Sequence, residues 1–147
     1  MSIVKEAPRE LTEGLIGCGI TVHDKLGPGF LEPIYHECYA LELTAQGFSF
    51  KHDKVIPVEY RGVKLNACYR FDFLVEDCVI VEIKSVEALA PVHRAQVINY
   101  LKLTGVPVGL LMNFNVGSFK EGLRRLEHPD LYRRSRLARS SDLREKQ

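Results

Sequence analysis

Residues 69–84 read YRFDFLVEDCVIVEIK, two runs of strand formers around a polar break. Alternation puts Arg70, Asp72 and Leu74 on one side of the first strand, and Ile80, Glu82 and Lys84 on one side of the second. The opposite sides carry Phe71, Phe73 and Val75, then Val79, Val81 and Ile83. They are wholly apolar and must face a core.

The loop between the strands decides whether the charged groups meet. A two-residue loop, Glu76-Asp77, sets Asp72 opposite Val81 and away from Glu82. A three-residue loop, Glu76-Asp77-Cys78, sets Asp72 opposite Glu82, with Cβ atoms about 5 Å apart. The second register is the expected one. Two carboxylates that close repel unless a cation or a proton lies between them. Their oxygens suit a hard divalent ion such as Mg²⁺ or Mn²⁺. Lys84 shares the face, within reach of a phosphate or an attacking water. The plainer alternative makes Glu82 and Lys84 a solvated strand end and Asp72 a surface acid. Against it, VIVEIK otherwise has the composition of a central strand, where an unpaired charge is costly. The stretch is therefore a candidate metal site for phosphodiester hydrolysis.

The 147 residues make one domain with room for a proper core. A 46% hydrophobic and 27% charged composition is that of a soluble globular protein. A net charge of +1 does not announce a nucleic-acid binder, and any grip on nucleic acid is expected to be local rather than a broad basic surface. The start, MSIVKEAPRE, is charged and has no apolar run long enough for a signal peptide or membrane span. A cytoplasmic protein is expected. Cys18, Cys38, Cys68 and Cys78 form no CxxC pair, which argues against zinc or iron–sulfur binding. Cys18 and Cys38 fall on apolar helix stripes and are expected to be buried thiols.

Residues 1–11 read as a loose lead-in. Thr12 is a candidate cap for a helix with Leu15, Cys18, Gly19, Val22 and Leu26 at helical spacing. Gly27-Pro28-Gly29 ends it, with His23 and Asp24 expected at the surface or as capping groups. A second helix is expected from Leu31 to Ala45, with the stripe Leu31, Ile34, Tyr35, Cys38, Leu41 and Ala45. Glu32 lies in its first turn, where it either favours the positive helix end or serves a site. A strand from His52 to Tyr60 contains Pro57, which marks an edge or a bulge. Arg61-Gly62 is a hairpin turn into a long strand, Val63–Val75, and Val79–Lys84 completes a three-stranded antiparallel meander. Pro91 opens a helix to Thr104, closed by Gly105. Ala95, Ile98 and Leu101 form one face of it, and Gln96, Tyr100 and Leu103 another. Gln96 and Tyr100 stand one turn apart, as a packing pair or as two groups on one ligand. Pro107–Phe114 is a buried strand after a crossover long enough to be parallel. Phe119–Leu126 is a short helical or extended coda. From Tyr132 the chain is arginine-rich, and a flexible solvated tail is expected.

These pieces together resemble the PD-(D/E)XK nuclease superfamily, and within it the GxxExxY family. The naming motif stands here as Gly29, Glu32 and Tyr35. Asp72 matches the motif aspartate, Glu82 and Lys84 the ExK, and Gln96 and Tyr100 the QxxxY pair of the exonuclease-like, RecB-type branch. Phe71 stands where many members have proline. The resemblance implies an α/β fold with a mixed sheet and a restriction-endonuclease-like core. Its parts are N-terminal helices, the three-stranded meander, a crossover helix and a further strand. Residues 12–126 make the domain and 127–147 a basic tail. It further implies Mg²⁺ or Mn²⁺ held by Asp72, Glu82 and the backbone carbonyl of Ile83, with Glu32 completing the shell or positioning a second ion. The ion lowers the pKa of a bound water and offsets charge on the scissile phosphate. Lys84 orients that water or neutralises developing charge, while Gln96 orients the lysine or a phosphate and Tyr100 packs or hydrogen-bonds beside it. The implied substrate is nucleic acid, DNA before RNA, with a homodimer or a partner protein compatible with so small a domain. A non-catalytic nucleic-acid or protein-binding module, or a hydrolase of another phosphoester, is the alternative on the same fold.

Overall fold

The computed structural model describes residues 4–145. In chain order the elements are α1 (Arg9–Leu26), α2 (Glu32–Ala45), β1 (Phe50–Tyr60), β2 (Val63–Val75), β3 (Val79–Lys84), α3 (Pro91–Thr104), β4 (Val108–Asn113), α4 (Phe119–Gly122), β5 (Leu123–Glu127) and α5 (Pro129–Glu145). The five strands form one sheet in the order β1-β2-β3-β4-β5. Only β3 and β4 run parallel, and their connection is the α3 crossover. This is the mixed α/β architecture expected from the sequence, with a fifth strand in the segment read as a coda.

Strands β3 and β4 are buried throughout except at Lys84, as near-continuous apolar runs require. One sheet face packs Phe73, Val75, Val79, Val81, Ile83, Leu110 and Met112 against Leu15, Cys18 and Val22 of α1 and Tyr35, Tyr39 and Leu43 of α2. The other face packs Ile80 and Phe71 against Tyr100 and Leu101 of α3. Helix α3 sits close on β4 because Gly109 has no side chain; a Cβ there would lie 2.4 Å from Val97 Cγ1.

Several expectations need correction. Helix α1 begins at Arg9, so Thr12 is inside it and its hydroxyl bonds back to Arg9 O (3.0 Å) rather than capping. Of the lead-in, residues 1–3 lie outside the described residues, and the rest is tied down: Ala7 packs on the core and Arg134 of α5 donates to Val4 O. His23 is buried, with Nε2 2.7 Å from Val116 O. The apolar stripe of α2 is rotated. Leu31 and Leu41 are 77% and 70% exposed, while Tyr39 and Leu43 are buried with Tyr35. The tyrosines can go inside because their hydroxyls find carbonyls, Tyr39 donating to Leu15 O (2.9 Å) and Tyr35 to Gly27 O (2.6 Å). On α3 the buried residues are Val97, Tyr100 and Leu101, whereas Ala95 and Leu103 are exposed. Cys18 is buried as expected and Cys38 only partly. The arginine-rich segment read as a flexible tail is, as far as Glu145, the helix α5, begun by Pro129 and supported by an Asp130–Arg133 pair one turn apart (3.1 Å), while residues 146–147 lie outside the described residues. No helix among the described residues is long and apolar enough to cross a membrane.

Strand β2 serves two partners. It pairs with β3 only through Phe73, Leu74 and Val75. Before Asp72 its partner is β1 alone, and the two strands run out as a ribbon to the Arg61-Gly62 turn. Pro57 behaves as its residue type demands, on an edge strand and at a register irregularity between Pro57 and Glu59.

Candidate metal and catalytic centre

The β2–β3 register is the one set by the three-residue loop, with Val75 opposite Val79 and Phe73 opposite Val81. Glu76 and Asp77 both take a φ of 52°, a left-handed conformation that carries the chain round the loop. One step further along the ladder Asp72 faces Glu82, and there the backbone pairing stops. The side chains replace it: Asp72 N–H donates to Glu82 Oε1 (2.8 Å) and Ile83 N–H donates to Asp72 Oδ2 (2.7 Å). Each carboxylate thus crosses to the other strand, fixed by a backbone donor.

Alternation also breaks at this point. Phe73 faces the helices α1 and α2, but Phe71 sits in the cluster under α3, not on the same side as the sequence suggests. Strand β2 turns over across Asp72, where its bond to β3 runs through a side chain.

Burial is the main influence on both acids. It pushes Asp72 up, against the opposing effect of the Ile83 N–H bond. It pushes Glu82 up to about 8, with the Asp72 charge as the next cause. Tyr100 of α3 is raised to about 12 by burial and then by the charges of Glu82 and Asp72. Without a cation the pair therefore retains a proton at neutral pH.

Lys84 ends β3, and its Nζ lies 3.9 Å from Glu32 Oε1 in the first turn of α2. Two side chains tie these pieces together. Ser85 Oγ donates to Phe30 O (2.6 Å), and Asn113 bonds Val86 at both N–H (3.0 Å) and O (2.9 Å). The Gly29–Phe30 loop is itself held by Tyr35, whose hydroxyl also accepts from Phe30 N–H (3.2 Å). Gly29 takes a φ of 103°, which suits glycine. Tyr35 is a brace under the loop that presents Glu32, not a group at the site. Replacing Tyr35 with Phe leaves the Gly27 carbonyl and the Phe30 amide without that partner. The Tyr35→Phe protein is expected to be less stable by about 1–3 kcal/mol in urea denaturation.

The structure thus brings together Asp72, Glu82 and the Ile83 backbone, with Tyr100 beside them and Lys84 paired to Glu32. It does not close Glu32 onto the two acids at metal-ligand spacing. Gln96 is half-buried one turn before Tyr100, and no hydrogen bond joins it to the carboxylates among the described residues. Two residues that the sequence reading did not single out do come close. His36 of α2, Asp53 of β1 and Asp72 offer ligand atoms all within 4.8 Å of one another. Asp53 lies across β1 from Asp72, between the pairs His52–Phe73 and Lys54–Phe71. Asp53, Asp72 and Glu82 therefore form a row across three strands.

The raised pKa of Glu82 has a measurable consequence. A carboxyl with folded pKa about 8, against its usual 4.5, holds a proton that the unfolded chain has lost. Its contribution to stability is full below pH 4.5 and is lost as pH rises through about 8. In urea denaturation with a chelator, the wild type is expected to weaken across that window. Glu82→Gln, which keeps the acceptor for Asp72 N–H, should stay nearly flat. It should be more stable at pH 9, by on the order of a few kcal/mol.

A mixed sheet with crossed acidic side chains and a lysine at its central strand end defines a restriction-endonuclease-like protein. Residues 9–126 match the PD-(D/E)XK nuclease superfamily, and the chain belongs to it. Nucleases of this superfamily generally use divalent metal ions. Among solved structures, the crystal structure of SSO0001 resembles the chain with a TM-score of 0.50 and 19% identity. The alignment covers 76% of this chain and 57% of that one, a likeness of fold. No curated protein matches the sequence.

Proposed function

We propose that this chain is a metal-dependent nuclease that hydrolyses phosphodiester bonds of nucleic acid, DNA before RNA, in the cytoplasm. The observation that carries the reading is the crossed pair of Asp72 and Glu82, locked by backbone donors at the end of the strand that also carries Lys84. Such a pair is an expensive arrangement in the absence of a cation. Gly29, Glu32 and Tyr35 in the α1–α2 connection, with Gln96 and Tyr100 on α3, support the finer placement in the GxxExxY family and its RecB-type branch.

Asp72, Glu82 and the Ile83 carbonyl would hold Mg²⁺ or Mn²⁺, since each carboxylate keeps one oxygen that no backbone N–H engages. The ion supplies charge neutralisation at the phosphate and acidifies the attacking water. Lys84 places its ammonium against the charge developing on the phosphoryl oxygens. Glu32 restrains that ammonium when substrate is absent. Tyr100 stands against Tyr69 edge to face (5.2 Å) and closes the wall under α3. Gln96 orients Lys84 or a phosphate oxygen. A second copy of the chain or a partner protein extends the grip on a substrate larger than the domain.

The test is cleavage of linear DNA, circular DNA and RNA with Mn²⁺ or Mg²⁺, beside Asp72→Asn. Asn keeps an acceptor for Ile83 N–H, so the fold is expected to survive. Cleavage lost in the variant supports a nuclease, and the linear-to-circular contrast separates exo- from endonuclease action. Equal cleavage by both proteins, or none by wild type that binds metal, overturns the reading in favour of a binding module or another phosphoester.

A further inference from the structure

His36, Asp53 and Asp72 come from three separate elements, α2, β1 and β2, yet their ligand atoms converge within 4.8 Å. Among the described residues no other three His, Cys, Asp or Glu side chains do so. The imidazole is placed by packing, stacked on Phe73 at 4.4 Å between ring centroids. Its Nε2 is buried and has no hydrogen-bond partner, although Asp53 Oδ1 lies 3.6 Å away. That separation is too long for a hydrogen bond. Ligands on one small ion, each at about 2.0–2.2 Å, stand roughly 3–4 Å apart. His36 Nε2 and Asp53 Oδ1, 3.6 Å apart, already stand at that spacing, and closing the widest gap by about 1 Å brings in the third group. The Asp53 backbone takes a φ of 52° within β1, a conformation Asp tolerates better than most residues. Asp53 Oδ2 lies 3.4 Å from His52 Nδ1, which steadies the carboxylate from outside.

We propose that His36, Asp53 and Asp72 form a second cation site, distinct from the Asp72–Glu82 pair and sharing Asp72 with it. One imidazole and two carboxylates select a borderline divalent ion, Mn²⁺ or Zn²⁺, over Mg²⁺, which prefers oxygen ligands. In the nuclease reading, on which this role rests, an ion held here would share Asp72 with the first pair and would add positive charge near the phosphate. The site makes Mn²⁺ a better activator than Mg²⁺.

The experiment is Mn²⁺ binding to the whole chain, read by calorimetry and by pulsed electron paramagnetic resonance. Wild type is expected to bind two Mn²⁺, with ¹⁴N coupling from one imidazole. His36→Gln loses the coupling and one ion. Asp53→Asn, at a half-exposed position, weakens the same ion by about tenfold or more while the other remains. No ¹⁴N coupling in wild type, coupling retained in His36→Gln, or no Mn²⁺ binding at all overturns the proposal. The outcome is independent of cleavage. Nitrogen-ligated Mn²⁺ without cleavage removes the nuclease reading alone, and cleavage without nitrogen ligation removes this site alone.

Discussion

Lys84→Ala is expected to lower metal-dependent cleavage by about 100- to 1000-fold, the usual loss when one preorganised positive group facing a developing oxyanion is removed. Stability should hardly change. Lys84 is the last residue of β3, and its ion pair with Glu32 at 3.9 Å is long and partly exposed. Pairs of that kind contribute about 0–1 kcal/mol. The two effects separate a catalytic lysine from a structural one. A variant with unchanged turnover removes Lys84 from the chemistry, and one that unfolds shows a structural role instead. Mn²⁺ affinity should be retained or rise slightly, since a cation has been taken away from the carboxylates.

Phe73→Ala is expected to cost about 3–5 kcal/mol. Phe73 is fully buried at the middle of the sheet, with Tyr39 at 5.3 Å, Phe50 at 5.8 Å and His36 at 4.4 Å between ring centroids. A domain of this size has about 5–15 kcal/mol in hand. The loss should appear as a fall of about 10 °C or more in the melting temperature, followed by circular dichroism. The same change removes the platform under His36, so Mn²⁺ binding at the imidazole should weaken in whatever fraction stays folded. A fall of only a few degrees would mean that the aromatic neighbours collapse into the space and that the core is less tightly built than its contacts suggest.

Much of this was readable from residue order because local rules and burial agreed. Strands β2 and β3 came out with their observed ends, since apolar runs, a polar break and turn-forming acids leave few alternatives. The Asp72–Glu82 opposition holds because the turn is the three-residue loop, one of two that the sequence allows. Helix α3 was bounded by Pro91 and Gly105. Asp53 was hidden for an identifiable reason. Counting back from the hairpin pair Tyr60–Val63 puts Lys51 opposite Asp72. The irregularity after Pro57 advances one strand by two residues (Glu59 to Pro57) and the other by four (Lys64 to Cys68), and that brings Asp53 into line. His36 lies one helical turn beyond Glu32 and reads as an ordinary polar helix residue until Phe73 is seen beneath it. The faces of α2 were misjudged because Tyr35 and Tyr39 lose their polarity penalty through carbonyl partners distant in sequence or across a loop. Helix α5 was missed because arginine content says little about a segment whose only buried side chain among those described is Leu131.

The ribbon of β1 and β2 has a consequence for motion. Beyond Phe71 its amides are closed only by each other, and its tip residues Tyr60 and Val63 are 68% and 62% exposed. Opening there breaks few packed contacts, while opening at β3 or β4 dismantles the core. Hydrogen exchange should therefore divide the sheet into a slow unit, β3 with β4, and a fast one at the outer hairpin. The boundary between the two falls at Asp72. Asp72 sits on the hinge between a rigid floor and a pliable arm, so the outer hairpin can bend without opening the β3–β4 core.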